Sequence, residues 1–153
     1  MRRADREITE FSEIVEVLER CDTIRLGLNG EKCPYVVPLS FGYEVREGKI
    51  VIFVHGAEVG LKHDMIEKDN RVCAEADICH GFAEVKQGIT TVYESVIGFG
   101  TVEKAVAAEA IKGLDLILSH CGFGGHAYDT SVVSRLTVYK ITLETVTGKR
   151  NRV

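Results

Sequence analysis

Apolar residues near the start of the chain recur at helical spacing. Phe11, Ile14, Val15 and Leu18 follow an i, i+3, i+4, i+7 pattern and predict an amphipathic helix from about Thr9 to Arg20. Thr9 or Ser12 could cap it. The period then changes. Thr23–Leu28 reads as a strand ending in an Asn29-Gly30 turn, and Pro34–Val45 as a long strand, apolar on both faces near its middle. Glu47-Gly48 turns the chain into Lys49–Val54. Such tight connections predict that the three strands pair antiparallel. A short helix over Leu61–Lys68 puts Leu61 and Met65 on one face, and Arg71–Asp77 returns as a strand. Ile78–Thr90 has no clear period and reads as a loop. Thr91–Glu103 is a further strand, in which Gly98 and Gly100 mark a bulge, a bend or a close backbone contact. Ala105–His120 predicts a second amphipathic helix with Ala107, Ile111, Leu114 and Leu118 in one stripe. The Gly-rich stretch His120–Tyr128 reads as a connector. Ser134–Thr147 closes the pattern, with Leu136, Val138, Ile141 and Leu143 alternating around one break in phase near Lys140.

The fold class that follows is mainly β with flanking helices, an antiparallel sheet built as a small barrel or as a sheet packed by helices. Pattern alone leaves both open. With 153 residues, 45% of them hydrophobic, and no repeat or linker, the chain is one domain, 1–153. A formal net charge of -4 argues against a broad nucleic-acid surface. No apolar run approaches the ~20 residues that span a bilayer, and the charged start MRRADREITE lacks the apolar core of a signal peptide. No membrane association and a cytoplasmic location are the expectation. Cys21, Cys33, Cys73, Cys79 and Cys121 are odd in number and form no CxxC, which suits free thiols. Cys73, Cys79 and His80, or His120, Cys121 and His126, match no standard metal spacing, so no metal site is assigned.

The richest stretch chemically is Ile50–Val72. A β-branched strand ends at His55, Gly56 and Gly60 let the backbone bend or approach a ligand, and a helix opens with Leu61-Lys62. The free N–H groups and partial positive charge of that helix start, together with Lys62, could seat a phosphate. A solvated lysine remains the commoner fate of this spacing. Pro38 cannot donate a ladder hydrogen bond, so it marks a sheet edge or a break where the backbone faces something else.

These pieces, in their order, resemble the flavin-binding split-barrel superfamily that includes pyridoxamine 5'-phosphate oxidase. The matching residues are Phe53-Val54-His55-Gly56-Ala57, Gly60-Leu61-Lys62 and Asn70-Arg71-Val72. Met1-Arg2-Arg3 with Asp5-Arg6-Glu7-Ile8, the run Pro34 to Tyr43, the stretch Glu94 to Gly100 and the end Ile141 to Lys149 place the likeness nearest the 5-nitroimidazole-resistance branch. The resemblance covers most of the chain and implies a split β-barrel, in most relatives a homodimer with FMN at the subunit interface. It implies that Lys62 holds the FMN phosphate and that Gly56, Ala57 and Gly60 form the turn beside it. Backbone groups of Pro38, Leu39, Ser40 and Phe41 would meet the polar edge of the flavin, with Ser95 as a further contact. His55 would bind the flavin and act as the catalytic side chain. The oxidases carry an Arg-Lys pair where this chain has Leu61-Lys62, which leaves His63 or a residue of a partner subunit to supply the second cation.

The function so implied is an FMN-dependent oxidoreductase acting on a small molecule such as a nitroaromatic. Two alternatives stand beside it: a flavin-binding module without turnover, and a haem- or metal-binding member of the same barrel class. No GxGxxG follows a strand, so no nicotinamide fingerprint identifies an electron donor. Pyridoxamine-phosphate oxidase itself fits poorly, because Thr147-Gly148-Lys149-Arg150 does not correspond to that enzyme's basic C-terminal segment.

Overall fold

The computed structural model describes residues 3–129, 131 and 135–153. Met1 and Arg2 of the N-terminal motif, and the predicted strand start at Ser134, lie outside the described residues. After a 3-10 turn over Ala4–Arg6, the elements in chain order are β1 (Glu7–Ile8), α1 (Phe11–Glu19), β2 (Ile24–Leu28), β3 (Tyr35–Leu39), β4 (Gly42–Arg46) and β5 (Lys49–Ala57). Then come α2 (Leu61–Lys68), β6 (Arg71–Val85), β7 (Gly88–Lys104), α3 (Ala108–His120) and β8 (Leu136–Asn151). All pairings are antiparallel, in the order β3-β2-β6-β7-β8-β5-β4, with β1 added to the far end of β8.

The predicted strand Pro34–Val45 is two strands. Among the described residues β3 pairs only with β2, and β4 only with β5, at opposite ends of the sheet. Ser40 and Phe41, which separate them, can span only about 10 Å. The sheet must therefore curl until its two edges approach at that corner, yet β3 and β4 do not pair and the barrel stays split. Pro38 stands on the unpaired edge of β3, where a missing N–H costs no ladder bond.

The predicted loop Ile78–Thr90 is instead the tip of the longest hairpin. β6 and β7 pair from Arg71↔Thr101 to Val85↔Gly88, with a register shift between Cys79 and Gly81. Alternation is hidden here because neither face of the tip is covered; Phe82 and Ile89 are largely exposed. The glycine reading of β7 holds. The ladder shifts between Phe99 and Gly100, and a Cβ on Gly100 would lie 1.9 Å from the Thr142 carbonyl oxygen.

Ile50, Ile52 and Val54 of β5, with Tyr139, Ile141 and Leu143 of β8, fill the barrel. Helix α1 closes one end with Ile14, Val17 and Leu18, and α2 the other with Ile66. The opposite pleat face of β5 and β8, carrying Val51, Phe53 and Val138, packs under α3. Both faces of β8 are thus buried there. This explains why Val138 and Ile141 look like one stripe with a break at Lys140: they face opposite sides, and the ladder shifts instead beside Glu144. Helix α3 buries Ala110, Gly113, Leu114 and Ile117, rather than the stripe through Ala107 and Ile111; Gly113 lets the helix settle onto Phe53 and Val138. In α1, Phe11 is exposed and Val17 takes its place in the core. Neither Thr9 nor Ser12 caps that helix: Glu10 occupies the N-cap without a side-chain hydrogen bond.

Candidate functional site

At the split, β5 runs four residues past its last partner on β4, since Gly42 pairs with Phe53. The connection through Gly60, at φ 130, turns the chain into α2. This brings the Lys62 ammonium back over β5, where it donates to the backbone carbonyl of His55 at 3.3 Å. The approach requires Gly56, because a Cβ there would sit 2.6 Å from Lys62 Nζ. The ammonium also stands 5.9 Å from the centroid of the Tyr139 ring.

Lys62 is half-buried, and burial pushes its pKa down. Among the described residues it has no carboxylate partner. A partly desolvated cation without a counter-charge is a seat for an anion. His63, the candidate second cation, is tied through Nδ1 to the Tyr139 hydroxyl at 2.9 Å. Leu61 is exposed. Sequence reasoning missed Tyr139, because its apolar neighbours make it look like ordinary core.

His55 follows the pleat of Val51 and Phe53, so its ring stands on the α3 side while Lys62 lies against the barrel side of the same strand. Burial, and then the charge of Lys62, lower its pKa, which favours the neutral imidazole. Its Nδ1 is buried and has no hydrogen-bond partner among the described residues. A buried polar atom left open in this way is a position where a ligand or a second chain completes the bonding.

The remaining predicted residues lie elsewhere. Phe41 is wholly buried with its ring centroid 4.2 Å from that of His120, so only its backbone can meet a ligand. Leu39 packs towards the barrel interior. Ser40 is exposed at the corner, and Ala57 at the end of β5. Pro38 and Ser95 point out from the uncurtained face of β2, β3, β6 and β7. Ser95 stands nine residues along β7 from Lys104, the partner of Tyr139, which is up to about 30 Å of strand away from the Lys62 level. One chain therefore assembles His55, Gly56, Gly60 and Lys62 at the split, and presents Pro38 and Ser95 on a separate surface.

That second surface has its own character. Val36, Gly27, Cys73, Phe99 and Thr145 form a paired row across five strands. Phe99, on a central strand, is 58% exposed and Val36, on the edge strand β3, 59%, so the row carries large apolar side chains in the open. Beside them lies a cavity of ≈ 540 Å³ bounded by Gly27, Arg71, Cys73, Phe99, Thr101 and Thr145; neither Lys62 nor His55 lines it. Contacts of the three helices fall on other parts of the sheet.

The family profile described as pyridoxamine 5'-phosphate oxidase matches residues 10–150. The chain belongs to that family. Its fold is close to that of a candidate 5-nitroimidazole antibiotic resistance protein from Bacteroides thetaiotaomicron, with a TM-score of 0.83 and 26% identity over 94% of this chain and 85% of the other. The flavocytochrome Anf3 from Azotobacter vinelandii matches with a TM-score of 0.82 and 16% identity over 100% of this chain and 72% of that one. The FAD and haem binding protein from Mycobacterium smegmatis matches with a TM-score of 0.79 and 17% identity over 97% and 74%. At those lower identities the likeness is one of fold. Comparison with curated protein sequences gives no match. No helix among the described residues is long and apolar enough to cross a membrane. All five cysteines are free thiols.

Proposed function

We propose that the protein is a flavoprotein oxidoreductase of the pyridoxamine 5'-phosphate oxidase family, taking FMN and acting on a small oxidised molecule such as a nitroaromatic. The observation that carries the reading is the half-buried ammonium of Lys62, held over Gly56 at the start of α2 with no counter-charge among the described residues. A flavin, when bound, supplies the electron chemistry; the protein supplies orientation and electrostatics. Lys62 and the N–H groups opening α2 would neutralise the phosphate. The open Nδ1 of His55 can donate or accept one hydrogen bond according to its tautomer, and a neutral imidazole can pass a proton between ligand and solvent.

The active unit in this reading is a homodimer. The two groups of site residues lie on separate surfaces of one chain, and a second copy docked on the Phe99 face would bring Pro38 and Ser95 of one chain towards the split of the other. The cytoplasm, with its reducing conditions, suits the five free thiols.

The test is turnover of FMN-loaded protein. Reduction of a nitro compound by the chemically reduced holoprotein, slowed in His55→Ala with the fold intact, supports the enzyme. Stoichiometric FMN that no acceptor reoxidises faster than free flavin would make it a flavin store. A second reading, haem in the same barrel class, is favoured by the open His55 nitrogen. A Soret band in place of a flavin spectrum would establish it.

A further inference from the structure

At the far end of the open face, along β7 from the Lys62 level, three groups converge that the flavin reading does not use. Tyr93 projects from β7 two residues before Ser95. Lys149 of β8 pairs in register with Ser95, and its Nζ lies 5.7 Å from the centroid of the Tyr93 ring. Arg6 lies beside them in the N-terminal turn, which β1 anchors by pairing Glu7 with Lys149, and its charge acts on the same phenol. Burial pushes the Tyr93 phenol up, but the two nearby cations, Lys149 and Arg6, outweigh it and hold the phenol below its ordinary range.

Neither cation is committed to a carboxylate among the described residues. The acidic groups nearby are otherwise engaged or peripheral. Asp77, opposite Ser95, is bonded to Arg25 at 2.6 Å, and Asp5 is bonded to Arg3 at 2.6 Å. Glu7 is exposed beside Lys149. Most telling, Arg6 Nε is buried without a hydrogen-bond partner among the described residues. A guanidinium, an ammonium and a phenolic hydroxyl are all donors suited to one oxyanion, and one of them carries an open, desolvated N–H.

We propose that Arg6, Tyr93 and Lys149 form a phosphate-binding site on the open sheet face, separate from the Lys62 seat. The ligand is a phosphate oxyanion, either a phosphate carried by a substrate or effector, or the second phosphate of a dinucleotide flavin whose first phosphate sits on Lys62 of a second copy docked on this face. The site stands on these three residues and does not depend on flavin binding at Lys62.

The experiment is a spectrophotometric titration of the five tyrosines in the purified protein, followed as near-ultraviolet tyrosinate absorbance, with and without inorganic phosphate. One phenol ionises before the others, and Tyr93→Phe removes that step. A bound anion offsets the two cations, so phosphate moves the early step to higher pH, by about one unit. Lys149→Gln abolishes the phosphate response, and Lys149→Arg restores it. Flavin titrations of the same variants separate the two sources. FAD weakened about tenfold in Lys149→Gln with FMN unchanged assigns the oxyanion to the cofactor. Both flavins unchanged, with the phosphate response lost, assigns it to a substrate or effector. A wild-type titration indifferent to phosphate, or a response that persists in Lys149→Gln, overturns the site.

Discussion

The ammonium of Lys62 rests on the backbone carbonyl of His55, seven residues earlier in the chain. That contact draws the start of α2 onto the end of β5 and fixes a cation at the split of the barrel. If it seats a phosphate, Lys62→Ala weakens FMN by about 10- to 100-fold, the range for a hydrogen bond to a charged group, and leaves riboflavin nearly unaffected. Flavin fluorescence titrations measure both. Equal losses would remove Lys62 from the phosphate.

Gly56→Ala tests the same contact without touching the cation. The new Cβ meets only the tip of a flexible side chain, so Lys62 swings away and stability changes by less than about 1 kcal/mol. FMN affinity falls nonetheless. Gly42→Ala is the contrast. There a Cβ would lie 2.3 Å from the backbone of Leu116 in α3, and neither element can give way cheaply. The expected loss is about 2–3 kcal/mol in urea unfolding.

These two glycines also show what a sequence can and cannot disclose. The turn residues His55-Gly56 and the lysine after Gly60 are adjacent enough in the chain for their association to be read directly. Ser40 and Phe41 hide a different fact: an unbroken apolar run from Pro34 to Val45 carries no mark that its halves belong to opposite ends of the sheet. The β6–β7 tip was illegible because its strands have no buried face, and alternation needs one. On α3, the buried stripe is set by Gly113 against Phe53, a packing contact that composition does not report. Pairing Tyr93 with Lys149 needs the register of two strands, which no local pattern supplies.

Stability at low pH should follow Glu94. This carboxylate is buried beneath α1, bonded to Arg20 at 2.6 Å and to His80 at 3.1 Å. The Arg20 hydrogen bond dominates, against the opposing effect of burial, and takes its pKa down to about 2. A group depressed in the folded state stabilises above its unfolded pKa, and that stability is lost as pH falls through the folded value. The wild type should thus lose on the order of 2–3 kcal/mol between about pH 5 and pH 2 from this group. Urea unfolding across that window should show a flatter profile for Glu94→Gln, with lower stability at neutral pH. An unchanged slope would contradict the assignment.

The open sheet face is tested by Phe99→Asp. The side chain is more than half exposed, so the folded chain should tolerate the change. If a second copy covers that face, sedimentation gives a dimer for the wild type and a monomer for the variant, with flavin lost from the variant. A variant that remains dimeric and retains flavin would place the interface elsewhere.

The central claim is that this chain holds a flavin through Lys62. Titration of the purified protein into FMN, read by visible absorbance and flavin fluorescence, tests it most directly. The account predicts quenched emission that saturates at one flavin per chain and weakens in Lys62→Ala. Unquenched emission at saturating protein, or binding indifferent to Lys62, would contradict it.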